Sequence, residues 1–178
     1  YNLCVRTGAM DVIGSMITSI SSDRRLLALL VAWCFGGFME GMAGFGTAVA
    51  IPAGMLAGLG FEAVPAVLIC LLANGVPTPY GSIGIPTVSV ADLVGLDSLH
   101  LATVQLVQLA PFFVVMPLLI VLVAGRVTDD QGDVASVGER LHGVAGIALL
   151  SGASFVGAAL VVAMFVGPEL AVVVGSIV

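Results

Sequence analysis

Residues 74–86 read NGVPTPYGSIGIP, with three prolines and three glycines set between apolar runs at 63–73 and 87–96. Proline lacks the N–H that a helix needs and glycine costs backbone entropy, so neither carries a helix through the stretch. The sequence predicts a helix that stops and restarts within one apolar region.

Composition says which solvent surrounds that interruption. Of 178 residues, 60% are hydrophobic and 9% are charged, and the mean hydropathy is +1.20. A soluble domain carries about 25% charged residues. So few charges cannot cover a core of this size with a solvated surface. Five arginines and no lysine stand against eleven acids, a net charge of −6, which leaves no basic patch to meet nucleic-acid phosphate. The chain reads as an all-α integral membrane protein with several spans, some of them re-entrant or discontinuous. At membrane depth a broken helix frees N–H and C=O groups that lipid cannot satisfy, so the break must face protein or a water-filled cavity.

Working outward, 26–39 is a strong helical run. It leads into EGMAGFGT (40–47), which puts a carboxylate and three glycines at its end. Residues 47–60 resume as a short apolar segment. Two half-length helices in a re-entrant hairpin fit 26–60, and so do two tilted full spans. The transmembrane region thus runs from 26 to 124 with breaks at 40–47 and 74–86, and 101–124 is an ordinary span. Residues 125–140 form a solvated loop, and 141–178 hold another span, interrupted at Gly167-Pro168, and the start of a further segment. Ahead of all this, 1–25 reads as an amphipathic interfacial segment and a loop, with Met10, Ile13, Ile17 and Ile20 at helical spacing. A first residue other than Met and a last apolar run too short to cross predict an internal fragment. An even number of crossings separates Arg24-Arg25 from Arg126 and Arg140, so both groups and the 125–140 loop are expected on the cytoplasmic side.

Glu40 is the one acid between Leu26 and Gly60. An intramembrane carboxylate is costly, and by default it marks a proton or cation site; the plainer reading is an acid at the interface. Thr47, Asn74, Thr78, Ser82 and Thr87 supply uncharged polar groups beside the breaks. Discontinuous helices aim N-terminal dipoles at anionic groups of a substrate near the midplane, and side chains there also satisfy the broken backbone. Gly37-x-x-x-Gly41 and Gly54-x-x-x-Gly58 suit close helix packing. His100 and His142 head apolar runs, where an interfacial role is expected. Cys34 and Cys70 read as small buried hydrophobes, with no metal-ligand spacing, and no cofactor is expected. HExxH is absent and Ser82 has no histidine nearby in sequence, which argues against an intramembrane protease. A secondary transporter is the favoured reading, ahead of an enzyme, a pore or a non-transporting membrane subunit.

The runs FGGFMEGMAGFGTAVAIPAGMLAGLGF (35–61), LANGVPTPYGSIGIPT (72–87) and FVGPEL (165–170) resemble the L-lactate permease family of bacterial and archaeal monocarboxylate transporters. VRTGAMDVIGSMITSISSDRR (5–25) is similar to that family's segment just upstream. The resemblance implies a multi-pass protein of the prokaryotic plasma membrane that imports L-lactate, glycolate or a related 2-hydroxy acid together with protons. Glu40, Gly41, Gly44, Gly46 and Thr47 match the first motif, and Asn74, Pro77, Gly81, Gly84 and Pro86 match the second. Taken with the residue reading, Glu40 is the proton-coupling candidate, and Gly44, Gly46, Thr47, Asn74, Thr78, Ser82 and Thr87 are the substrate-binding candidates. A transporter of another organic anion, driven by sodium, is the alternative. The family pattern usually has proline at Ala48 and threonine at Gly75.

Overall fold

A computed structural model describes residues 7–8, 12, 19, 21–44, 46–127 and 136–178. Apart from residues 12 and 19, the expected amphipathic helix at 10–20 lies outside the described residues, as does the centre of the 125–140 loop. Among those described, all regular structure is helical. Helix α1 is Arg24–Met42, α2 Thr47–Gly58, α3 Ala63–Asn74, α4 Gly81–Val94, α5 Ser98–Val127, α6 Val137–Leu141, α7 Ala145–Phe165 and α8 Pro168–Ile177. By length and apolar character α1, α5 and α7 can each cross a membrane. The helix α3 and the stretch Thr78–Val94 together make a fourth candidate, bent by 67° at its break.

Helix α1 starts where Asp23 caps it, accepting a hydrogen bond from the Arg25 backbone N–H at 2.9 Å. The Arg25 guanidinium also pairs with Asp23 at 2.7 Å and donates to the Arg140 carbonyl at 2.6 Å. Arg24 donates to the Gly60 carbonyl and lies over the Phe61 ring, 4.8 Å from its centroid. One end of the bundle therefore gathers the start of α1, the end of α2 and the junction of α6 with α7. Helices α1 and α2 leave this end and return to it as a hairpin of unequal arms, 19 and 12 residues. The longer arm arises because the helix continues through Glu40 and Gly41, so the first break occupies only 43–46.

Asp23→Ala should lower stability by about 1 kcal/mol, the usual worth of an N-cap, read as a fall in the thermal midpoint in detergent. The Arg25 side chain, hydrogen-bonded to Asp23, holds that carboxyl below its ordinary range. Its contribution is present above the ordinary carboxylate value and is lost as pH falls through the lowered one.

The spans are joined by packing rather than by expulsion of water, since lipid is as apolar as the helices themselves. Trp33 of α1, Phe113 of α5 and Phe155 of α7 form an aromatic cluster with centroids 4.9–6.2 Å apart. All three are buried. Trp33 belongs to a π-helical stretch of α1, Leu29–Phe35, whose wider turn is a local departure from regular winding. Pro117 has no N–H for the Phe113 carbonyl one turn earlier, and α7 approaches at that turn through Gly152. A Cβ there would sit 2.8 Å from the Phe113 oxygen. Large side chains left outside, Val64, Leu93, Leu150 and Phe165 among them, suit a lipid surround.

Candidate functional site

Three helix breaks meet. At the first, α1 ends with the N–H groups of Ala43 and Gly44 both directed to the Met39 carbonyl, at 2.9 and 3.3 Å. Gly44 and Gly46 have φ of +55° and +90°. Gly44 needs its missing side chain as well as its dihedral, because a Cβ would fall 2.9 Å from the Ser82 backbone nitrogen. Ser82 belongs to the second break, and its Oγ donates to the Ala43 carbonyl at 2.8 Å.

The second break is sharper than proline and glycine alone require. Ser82, Ile83 and Gly84 are all left-handed, with φ of 49°, 59° and 72°, and right-handed turns resume at Ile85. A left-handed β-branched residue is a genuine outlier, costing on the order of 1–3 kcal/mol that the surroundings must outweigh. The surroundings include the third break. A Cβ on Gly84 would lie 2.8–3.0 Å from the backbone of Pro168 and Glu169, where α8 begins after Gly167. Helix α8 then runs back antiparallel along α1, with Val173 against Gly41 and Ser176 against Gly37.

Glu40 stands where the first two breaks touch. It lies about 24 Å along α1 from Arg24 at 1.5 Å per residue, and it is 3% exposed. That burial encloses the carboxyl within the protein. Asn74 stands at the end of α3, which packs against the end of α1 that carries Glu40. Gly81 closes another side, since a Cβ there would be 3.1 Å from Glu40 Cδ. Glu40 Oε2 and Asn74 Oδ1 are buried without a partner.

The structure thus gathers Glu40, Gly44, Asn74 and Ser82. The other expected positions lie along the breaks. Thr47 Oγ1 donates to the Gly44 carbonyl at 2.6 Å, and Thr78 Oγ1 to the Asn74 carbonyl at 2.6 Å. Thr87 Oγ1 lies 2.7 Å from the Pro79 carbonyl and 2.9 Å from Gln105 Oε1. Gly46 is exposed, with open space where its side chain would be. Each expected hydroxyl therefore serves a carbonyl that a break released. Of the two glycine pairs, Gly37 and Gly41 pack closely on α8, whereas Gly58 has open space beside it.

Two contributors were not singled out from sequence. Glu169, in the first turn of α8, brings a second acid beside Gly84, with its carboxyl turned over Gly167. Gln105 of α5 meets Thr87. The Gly-Pro pair at 167–168 signals a break as plainly as the others do, but its meeting with Gly84 depends on tertiary packing.

The family model described as L-lactate permease matches residues 1–178. The chain belongs to the L-lactate permease family. Over 178 residues it is 41% identical to an L-lactate permease of Streptococcus iniae, covering 99% of this chain and 35% of that one. It is 38% identical to an L-lactate permease of Bacillus subtilis, covering 100% and 30%. A glycolate permease of Escherichia coli is 34% identical over 170 residues, 96% of this chain and 28% of that one. The chain spans about a third of the length of these curated relatives. No solved structure matches it. L-lactate permease membership and the apolar helices together make this an integral membrane protein, and membership points to a transporter rather than an enzyme.

Proposed function

We propose that this chain forms the proton- and substrate-handling part of a secondary transporter of the prokaryotic cell membrane. It imports L-lactate, or a related 2-hydroxy monocarboxylate such as glycolate, by symport with a proton. The observation that carries the reading is the meeting of the first two helix breaks at one enclosed acid with an unpartnered oxygen, with the third break packed against the second. A carboxylate moving with a proton transfers no net charge, so the site needs no lysine or arginine. Glu40 takes the proton. The substrate carboxylate is met by the positive N-terminal ends of the restarted helices. Gly44 and Gly46 open the backbone at α2, and Thr47, Ser82, Thr78, Thr87 and Asn74 hold the breaks in shape around the ligand. Permeases named for lactate and for glycolate are both relatives, and those two acids share a carboxylate and a 2-hydroxyl.

The test is uptake of labelled L-lactate by cells expressing the full-length protein, with an imposed inward proton gradient. Glu40→Gln should reduce gradient-driven uptake by about a hundredfold, as expected when an intramembrane ionisable group is removed from a proton pathway. Undiminished gradient-driven uptake in that variant would take Glu40 out of the mechanism. Absence of uptake of any short 2-hydroxy acid by the wild type would overturn the substrate. Replacing sodium with choline in the buffer should leave uptake unchanged, and a requirement for sodium would reassign the coupling ion.

A further inference from the structure

The left-handed turn at Ser82, Ile83 and Gly84 is costly, so its surroundings must outweigh the cost. Ile83 is exposed, and its own packing does little toward that. Contacts to Ala43, Pro168 and Glu169 hold the turn from one side. The residues that bracket it are anchored from the other. Tyr80 before the turn and Thr87 after it are both fully buried. The Tyr80 hydroxyl donates to the Ala102 carbonyl at 2.7 Å, and Thr87 Oγ1 lies 2.9 Å from the Gln105 carboxamide. Ala102 and Gln105 are three residues apart on α5, on one face of the helix. One turn of one span thus grips the second break on both sides of its strained residues.

Counting hydrogens assigns the Gln105 bond. Thr87 Oγ1 also lies 2.7 Å from the Pro79 carbonyl, which can only accept. A hydroxyl carries one hydrogen and two lone pairs, so the hydrogen goes to the shorter contact and Gln105 must bring a donor. A carboxamide fits the same space with either end forward, and its hydrogen-bond neighbours decide which. The end facing Thr87 is therefore the NH2 rather than Oε1. Gln105 Nε2–H donates to Thr87 Oγ1, and Thr87 Oγ1–H donates to the Pro79 carbonyl. This relay ties residue 79 to residue 87 across the left-handed turn, and ties both to α5.

We propose that Gln105 is a positioning residue for substrate binding, which acts through Thr87 to hold the second break in the shape that aims the restarted α4 at the substrate carboxylate. Gln105 itself touches no substrate and takes no proton. The idea rests on the substrate meeting this break. With the relay intact, the binding-competent shape is the populated one. Without the donor the break samples other shapes, and the apparent affinity falls by the fraction that stays competent. Bound substrate selects the competent shape again, so the loaded protein keeps its turnover.

The test is gradient-driven uptake of labelled L-lactate by the full-length protein over a range of lactate concentrations, giving KM and, per copy in the membrane, Vmax. Gln105→Met keeps the length of the side chain and donates nothing. It should raise KM about tenfold, the effect of one lost buried hydrogen bond, with Vmax within about threefold of wild type. Thr87→Val removes the hydroxyl at nearly the same shape and should do the same. Both act through one relay, so Gln105→Met/Thr87→Val should be no more than about threefold worse than the poorer single variant. Gln108→Met, one turn along α5 at an exposed position, should keep the wild-type KM. A wild-type KM in Gln105→Met or in Thr87→Val overturns the proposal, whatever happens to Vmax. So does a double variant whose KM rises by the product of the two single effects, or an equal rise in Gln108→Met. Each of those results leaves lactate uptake by the wild type standing. A wild type that takes up no short 2-hydroxy acid removes both the role of Gln105 and the symport reading beneath it.

Discussion

Gly84→Val should abolish transport and lower the thermal midpoint in detergent more than any other single substitution at the breaks. Two separate effects add there. The position has φ of +72°, where an L side chain crowds the following carbonyl at a cost of about 1–2 kcal/mol. The added Cβ would also meet backbone atoms of Pro168 and Glu169 at 2.8–3.0 Å. Backbone cannot rotate aside as a side chain can, so α4 and α8 must separate. A loss of about 4 kcal/mol is expected, in the range reserved for overpacking combined with backbone strain. Gly95 separates the two effects, since it has φ of +70° and open space around it. Gly95→Ala should show the conformational cost alone, about 1 kcal/mol, with transport retained. If Gly84→Val cost no more than Gly95→Ala, the close approach of α4 to α8 would not exist in the protein.

The second large effect is expected on α7. Gly152 is in ordinary helical conformation, so a side chain there brings no strain of its own, only crowding. Its Cβ would stand 2.8 Å from the Phe113 oxygen and from Val114 Cα, at the turn of α5 that Pro117 leaves short of a hydrogen bond. Gly152→Ala should destabilise by about 2–3 kcal/mol, the usual cost of forcing an extra group into a packed contact. Gly157, five residues along the same helix, has open space beside it. Gly157→Ala should be neutral or stabilising by up to about 1 kcal/mol, through helix propensity. Thermal unfolding of the pair in one detergent gives the comparison, and equal shifts would contradict the α5–α7 packing described above.

The sequence makes the breaks legible because proline and glycine act locally: 74–86 had to interrupt a helix whatever packed around it. The membrane class is legible for a similar reason, since composition alone decides the solvent. Where α1 ends was harder to read. Gly41 looks like part of a break, yet it is a helical residue whose bareness admits Val173 of α8. Only the partner helix distinguishes those two uses of glycine. Ser82 and Thr47 were ambiguous in a different way. A hydroxyl that completes a broken backbone and one that binds a ligand call for the same residue in the same place, and the geometry puts both against carbonyls. Asn74 drew attention as a ligand for substrate, while the end of α3 that carries it packs against the end of α1 that carries Glu40, a neighbour that no spacing along the chain reveals. Glu169 was hidden because 167–170 is far in sequence from 82–84, and α8 must fold back along α1 before they meet.

That the hydroxyls at the breaks are already committed to carbonyls has a practical consequence for mapping this protein. On the proposed reading, the groups that meet the substrate anion belong to the main chain, and truncating side chains does not remove them. An alanine scan through 40–47 and 75–87 would mostly trim supports and leave the backbone in place, so it would return a faint outline with Glu40 as its one dark point. Substitutions that add bulk at Gly44, Gly81 and Gly84 would print the same region in full contrast. For this fold the informative mutagenesis is addition rather than deletion.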